Sequence, residues 1–557
     1  MNQARQENQF VYDKFRQISK AQFDLSHERK ITFDFGQLVP FLVEPTIPGD
    51  VFDLGAEVIL RMPPLYQPIF SRTNLKLWWF YVPNRLLWRN WTRFISDFAS
   101  SNQQNTIPTV PVEYVDIDLA NNVSIWEYMG MPAPLDGETP TTDTMAINAL
   151  PYLAYIKIYY DFFINPIVQN YDWEDIYETV TDGDNSSKQW FLDHGFDVSA
   201  TWADFGVAWR NWNRDYYTSA TPTPQAGTGI RIPVFDEAAV TTGNHTLAWN
   251  TADGAIYDES AGNVAVQIEG TSGTDGSILA NTGGTPRMAL DVSATAGTIA
   301  QLRYAHRLQE LLERMNRSGN RYRDTLRTVF GTDPMAGVID FAELIGTTSA
   351  VIQITDVMQT ATTEINAGAD EYVLGDYAGK AMGYASTGGI KVNCAEHGYI
   401  FGIINVQPRS SYMQGLPKHF LADTWFDFPV VDFAHIGDEA IENREFVFNF
   451  AAAYDAADNT DTWGYIPKYS DYRYRNDVTA GQFRNDQYAD WHLTRQWDPT
   501  SRPALNGNFL QTRDLTGSGS LPLNIFQITA GEPQVYAYIW NKVIAWRPLP
   551  KYAIPMM

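Results

Sequence analysis

In this chain of 557 residues, dipeptides such as His27-Glu28 and Glu396-His397 place a carboxylate beside an imidazole. Such pairs act as general bases, or as metal ligands when a second donor lies one helical turn away. Neither is followed by a second histidine at helical spacing, so neither reads as a zinc helix of the H-E-x-x-H type. The run Asp182-Gly183-Asp184-Asn185 sets oxygen ligands around a glycine, as a calcium loop does. It lacks the EF-hand spacing and the closing glutamate. No G-x-S-x-G elbow and no phosphate-cradling P-loop occurs. Among 65 acidic residues, close carboxylate pairs arise by number alone and carry no glycosidase signal. The expectation is a protein without catalytic residues, cofactor or metal.

The chemistry that remains is association. Residues 1–30 carry Arg5, Lys14, Arg16 and Lys20, interleaved with Phe10, Tyr12, Phe15 and Phe23. A basic arm with aromatics suits phosphate contact and base stacking. It equally suits an arm that laces onto a neighbouring copy. The whole chain runs the other way, with a formal charge of −25. Polyphosphate affinity needs clustered Lys and Arg, so the chain as a whole is not a strong nucleic-acid binder. If it surrounds DNA, another molecule must supply most of the neutralising charge. From Ile232 to Pro286 there is no Lys or Arg, but there are acids, among them Asp253, Asp258, Glu259 and Asp275. The chain holds 17 Trp, and a chain this rich in aromatics has material for both core and interfaces. Trp88, Trp91, Trp540 and Trp546 are candidates for contacts between copies. Cys394 is the one cysteine, which excludes an intrachain disulfide framework and fits synthesis in a reducing cytoplasm. The N-terminus has no apolar segment of the signal-peptide kind, and no apolar run reaches the roughly 18 residues of a membrane span.

The elements that would position these groups are mostly strands. Ile31, Phe33 and Phe35 alternate with polar neighbours, and Leu75, Leu77, Trp79 and Tyr81 share one parity before Pro83. Tyr399–Val406 is a nearly continuous apolar run, as in a strand covered on both faces. Phe446, Phe448 and Phe450 alternate, and Val535–Trp546 is strand-like. Pro48-Gly49-Asp50 and Pro63-Pro64 punctuate turns. The run Tyr152–Ile164, preceded by Pro151, reads as a short buried helix. Ile299, Leu302, Leu308, Leu311, Leu312 and Met315 recur at helical spacing after a capping-box pattern at Thr298. The polar side of that helix is basic, either a solvated face or one that meets an acidic neighbour or DNA. The acid-only stretch reads as a β-rich surface excursion. Strands at both ends, with helices and insertions between, fit a jelly roll, where early strands pair with late ones. Most of the chain would then be inter-strand loop, and loops that long are rare unless functional.

Several blocks resemble the major capsid proteins of the Microviridae, especially the gokushovirus-like branch. They begin with Phe23-Asp24-Leu25-Ser26-His27, Lys30-Ile31-Thr32-Phe33-Asp34, Leu38-Val39-Pro40 and Pro48-Gly49-Asp50. Phe80-Tyr81-Val82-Pro83-Asn84-Arg85-Leu86, Arg214-Asp215-Tyr216-Tyr217-Thr218 and Leu311-Leu312-Glu313-Arg314 follow in order. Glu396-His397-Gly398-Tyr399, Tyr412-Met413-Gln414-Gly415-Leu416 and Phe433-Ala434-His435-Ile436-Gly437 continue it, and Trp463-Gly464-Tyr465 with Asp471-Tyr472-Arg473-Tyr474 closes it. The resemblance implies an all-β core with helical insertions: an eight-stranded antiparallel jelly roll of viral-capsid type with long inter-strand loops. It implies an N-terminal arm over 1–30 and a single capsid domain over 31–557. It also implies a shell of many copies on the simplest icosahedral lattice, around circular single-stranded DNA, with a small basic DNA-binding phage protein as partner. In this branch an insertion forms a protrusion at the three-fold axes. It falls at 226–297 here, over the acid-only stretch, and would face a host receptor. Rival expectations are a secreted carbohydrate-binding or glycan-cleaving β sandwich, and a minor phage attachment protein.

Overall fold

The computed structural model describes residues 19–88, 90–96, 107, 109–113, 125–132, 144–169, 207–225, 227, 247–249, 256–258, 264–265, 299–318, 341–358, 377–512, 525–526 and 532–551. The chain divides into two compact units, one of Met1–Pro224 with Met315–Met557 and one of Gln225–Arg314.

Ten strands build the larger unit's sandwich: β1 (Ala21–Asp24), β2 (His27–Phe33), β3 (Val39–Thr46), β4 (Asp50–Arg61), β5 (Thr73–Pro83), β6 (Glu343–Val351), β7 (Gln353–Met358), β8 (Tyr377–Cys394), β9 (Gly398–Pro408) and β10 (Val535–Arg547). One sheet runs β1-β10-β4-β8-β7, with β2 also on β10; the other runs β6-β5-β9-β3. Every pairing in them is antiparallel. Early strands therefore lie beside late ones. β4 sits between β10 and β8, and β5 between β6 and β9.

The alternation in β10 explains its place. Val535, Ala537, Ile539, Val543 and Ala545 are buried, while Tyr536, Tyr538, Trp540 and Lys542 point outward. β9 is buried along nearly its whole length, matching its continuous apolar run. Gly402 in β9 is required by close approach, since a Cβ there would lie 2.6 Å from the Phe41 ring. The two sheets share one core, in which Phe41 of β3 meets Trp79 of β5 edge-on at 5.8 Å. Asn541 is a polar residue inside it, and its Nδ2 donates to the carbonyl of Phe41 at 3.2 Å, tying one sheet to the other.

Helix α1 (Leu150–Ile158) runs into a π turn at Tyr159–Phe163. It is buried on all sides, as its unpatterned apolar sequence implies. Tyr155 Oη donates to the Leu38 carbonyl at 2.7 Å and accepts from the Ala208 amide at 3.0 Å. Lys157 and Asp161 form a buried ion pair at 3.0 Å, and Asp161 also accepts from the Ala342 amide at 2.8 Å. The pair thus pins β6's approach to the helix.

Three sequence expectations need correction, and two strands were not anticipated. Residues 21–30 of the expected arm are strand, because Ala21–Asp24 and His27–Phe33 complete the hydrogen bonding of β10. Residues Phe446–Phe450 are no strand. Glu442 and Glu445 form a capping box that folds Asn443–Phe446 into one helical turn. β6 and β8 have no counterpart in the expectations. β8 carries Gly379, Gly383, Gly388 and Gly389, which blank out the alternation that marks a strand. Trp88 and Trp91 are 6 % and 9 % exposed, packed against Phe94 within the chain, so they are core and not contacts between copies.

Lys157→Met leaves Asp161 buried without its cation. The expected cost is about 3–5 kcal/mol of unfolding free energy, read by chemical denaturation of the unassembled chain; a loss below about 1 kcal/mol would show the pair to be dispensable.

Candidate assembly surface

The connection from β9 to β10 carries its own aromatic core. Tyr412, Phe446, Trp497, Phe509 and Leu510 are buried in it, joined by Tyr217 from the connection between β5 and β6. The Phe446 ring stacks on Trp463 at 4.4 Å. At one side of this cluster Arg495 is fully buried, its guanidinium between the rings of Trp212, Trp497 and Phe509 at 4.5–4.9 Å. Nη2 donates to the Phe509 carbonyl at 2.7 Å. Burial lowers the pKa of the guanidinium, and the rings and Asp215 hold its charge.

On this second core rides a ridge. It is built from turns at Lys418–Phe420, Trp425–Asp427 and Val431–His435. Asp427 fixes the middle turn by accepting from the Thr424 amide and hydroxyl at 2.6 and 2.8 Å. Those donors hold its carboxyl below the usual range. The Val430 amide donates to Tyr469 Oη at 3.1 Å, and Lys418 pairs with Glu439 at 3.0 Å. Tyr469 itself sits in the left-handed region at φ 64°, with its amide donating to Glu439 Oε1 at 2.9 Å. So the backbone of the ridge is held from below.

Its side chains are not covered. Phe420, Trp425, Phe426, Phe428, Val431 and Ile436 are each between 57 and 86 % exposed. Single exposed apolar residues need no explanation, but a contiguous set on a fixed backbone marks a contact surface. A second apolar surface is the outer face of the first sheet. Tyr538 lies opposite Ile59, Tyr384 is on the other side of Ile59, and Trp540 faces Glu57. Trp540 is exposed there, whereas Trp546 is half-buried. Below the ridge, Glu445 accepts from the Glu442 amide at 3.1 Å and from Tyr216 Oη at 3.3 Å. Burial pushes its carboxyl up to about 7, against the pull of Lys418.

The other expected contact residues fall as follows. Lys20 is exposed just before β1; Arg5, Lys14 and Arg16 lie outside the described residues. Asp258 ends the strand Ile256–Asp258, the middle one of a three-stranded sheet in the smaller unit with Leu247–Trp249 and Val264–Ala265. Asp253, Glu259 and Asp275 lie outside the described residues, as does Asp182-Gly183-Asp184-Asn185. Three basic side chains of helix α2 (Ile299–Ser318) pair inside the chain: Arg307 and Arg314 with Glu310, and Arg317 with Asp438. Among the described residues no three His, Cys, Asp or Glu converge as a metal site. Glu396 engages Arg85 at 3.1 Å and His397 packs on Trp91, so that dipeptide is structural. The ridge was not anticipated. Its sequence interrupts aromatics with Asp423, Asp427 and Asp432 in no strand or helix period, and that combination is the signal available.

Residues 14–557 match the family described as capsid protein (F protein). The chain belongs to this phage capsid family. Similar to it along nearly their whole lengths are three proteins called capsid protein VP1. That of Bdellovibrio phage phiMH2K is 26 % identical, covering 96 % of this chain and 95 % of the relative. That of Chlamydia phage 1 is 26 % identical, covering 97 % and 96 %. That of Spiroplasma virus 4 is 23 % identical, covering 98 % and 97 %. Capsid F proteins are structural, and the antiparallel sandwich is consistent with that role.

Glu445 sets a pH dependence. Its folded pKa is above the ordinary 4.5, so its contribution to stability is full below about pH 4.5 and is lost as pH rises through about 7. Glu445→Gln should flatten the melting temperature between those limits. An unchanged slope would place the titration elsewhere. At the ridge, Trp425→Asp with Phe428→Ser should abolish sedimenting particles while shifting unfolding free energy by less than about 1 kcal/mol, as exposed substitutions do; normal assembly would remove the ridge from the interface.

Proposed function

We propose that this chain is the major shell subunit of a small phage with a single-stranded DNA genome. What carries this is the family match over residues 14–557 on a sandwich whose long connections present uncovered aromatics. β2, β3, β4, β5, β6, β8, β9 and β10 serve as the eight strands of a jelly roll. Copies associate through the ridge and related surfaces. Each contact is modest, and closed symmetry makes the sum strong and finite. The simplest icosahedral lattice encloses circular DNA. Assembly takes place in the bacterial host cytoplasm, and the mature protein resides in the virion.

The charge of −25 supports a reading of the partners. A small basic DNA-binding protein neutralises the packaged genome. The N-terminal residues Arg5, Lys14, Arg16 and Lys20 meet DNA or a neighbouring copy. The insertion at 226–297 stands on the outside, with Asp253, Asp258, Glu259 and Asp275 available to a host receptor. The family match favours this over a sugar-binding sandwich or a minor attachment protein.

Electron microscopy of the expressed chain, with the phage's own proteins and DNA where needed, tests this. Uniform closed particles on the order of 30 nm are expected. Replacing 226–297 by a short linker should leave the particles closed and strip their surface knobs. A chain that stays monomeric under all these conditions overturns the shell role.

A further inference from the structure

On the side of β5 away from the core, Asn74, Lys76 and Trp78 face a wall made by Val207–Thr221 and the π turn. Two recesses lie there. One of about 360 Å³ is lined by Lys76, Trp78, Phe162, Phe163, Arg210 and Arg214 among others. The other, of about 300 Å³, shares Lys76 and Arg214 and adds Arg72, Arg409 and Asp477. The first is within the size range of small-ligand clefts.

The charges in the recesses do not balance. Arg72, Lys76, Arg210, Arg214 and Arg409 stand against Asp215 and Asp477. Asp477 is taken by Arg409 at 2.5 Å. Asp215 is taken by neutral donors: Oδ2 accepts from Ser410 Oγ at 2.8 Å and Tyr412 Oη at 2.6 Å, and Oδ1 from the amides of Tyr217 and Thr218 at 3.0 and 2.8 Å. Arg210 donates to amide carbonyls, Asn405 Oδ1 at 3.1 Å and Asn213 Oδ1 at 2.9 Å, and lies over the Trp78 ring at 5.1 Å. Burial pulls the Arg210 guanidinium down to about 10, and burial with Arg210's charge pulls Lys76 down. Trp212, 4 % exposed and lining the larger recess, has its Nε1 without an acceptor among the described residues. A chain with 65 acids and 40 bases thus leaves Lys76 and Arg210 partly buried beside an exposed Arg214, with no carboxylate bound to any of the three among the described residues. That arrangement is costly unless an anion completes it.

We propose that the two recesses bind single-stranded nucleic acid, one phosphate between Lys76, Arg210 and Arg214 and the next toward Arg72. A base stacks against the Arg210 guanidinium, which Trp78 backs, beside Phe162 and Phe163. The five-to-two excess of cations complements a phosphodiester, and the aromatic walls suit a base better than they suit an acidic peptide. This rests on the proposal that the shell encloses single-stranded DNA.

The test is fluorescence anisotropy of a short labelled oligodeoxythymidylate on the full-length chain. Lys76→Gln with Arg214→Gln should weaken binding about tenfold or more and lower the salt slope by about 0.7 for each phosphate no longer neutralised. Lys391→Gln with Lys542→Gln removes equal charge from the other sheet and should leave affinity within about twofold. Equal affinity and slope for parent and the Lys76/Arg214 variant overturns the site, as does an equal loss in the control or a parent that does not bind. Matching thermal midpoints exclude misfolding. Electron microscopy of the same samples reads the shell separately: particles that form without oligonucleotide binding sink this site alone.

Discussion

The sandwich depends on where β10 lies. This last strand pairs on one side with β1 and β2, from the start of the chain, and on the other with β4. Without it the first sheet loses the strand between its beginning and its middle, and Asn541 no longer bridges to β3. The core can therefore close only when residues from the two ends of the chain are brought together. Loop-closure entropy rises only with the logarithm of loop length, so the long connections cost far less than their size suggests. The penalty falls on speed, since non-local antiparallel pairing folds slowly. Such a frame tolerates insertions between β5 and β6 and between β9 and β10 because neither interrupts a strand that the core needs.

That tolerance separates two jobs. The sandwich supplies rigidity, and the β9–β10 connection, with its own buried cluster around Phe446 and Arg495, supplies a surface. The ridge above it is held by backbone-directed bonds through Asp427 and Tyr469 while its aromatics stay uncovered. A surface fixed in advance loses little entropy on association, so modest apolar contacts suffice. This matters in a chain of charge −25, whose copies repel one another at long range. Screening confines that repulsion to about 8–10 Å at physiological salt, so apolar contact at short range can win.

The parts of the fold legible in the sequence were those where a single environment acts along a whole element. β5 and β10 have one wet and one dry face, β9 is covered on both, and α1 is surrounded, and each shows the matching pattern. β6 and β8 were illegible for a different reason. The glycines of β8 leave gaps in its pattern, and at Gly379 a Cβ would lie 2.7 Å from the Gln67 carbonyl, so closeness replaces a side chain there. Phe446–Phe450 alternated but were claimed by a local capping box and a stack on Trp463. Among the candidate contact residues, tryptophan type alone could not separate Trp88 and Trp91, held by Phe94 and His397, from the outward Trp540. The ridge has no period because turns, not strands, hold it.

Electrostatics then divides the molecule by partner. Where carboxylates are plentiful, cations are usually consumed, as α2 shows with Arg307 and Arg314 on Glu310 and Arg317 on Asp438. The cluster at Lys76 and Arg210 departs from that rule although acids such as Asp215 are near. Asp215 is instead saturated by Ser410, Tyr412 and backbone amides, donors that fix the Arg214–Thr221 turn. Those donors saturate the oxygens of Asp215 without removing its charge, so it offers the recess no acceptor, and the cations there still outnumber the two carboxylates. A cluster that stays positive inside a strongly acidic chain is selective by contrast. It offers an anion a local well in a repulsive field, and it confines a polyanion to the recess instead of spreading it over the subunit.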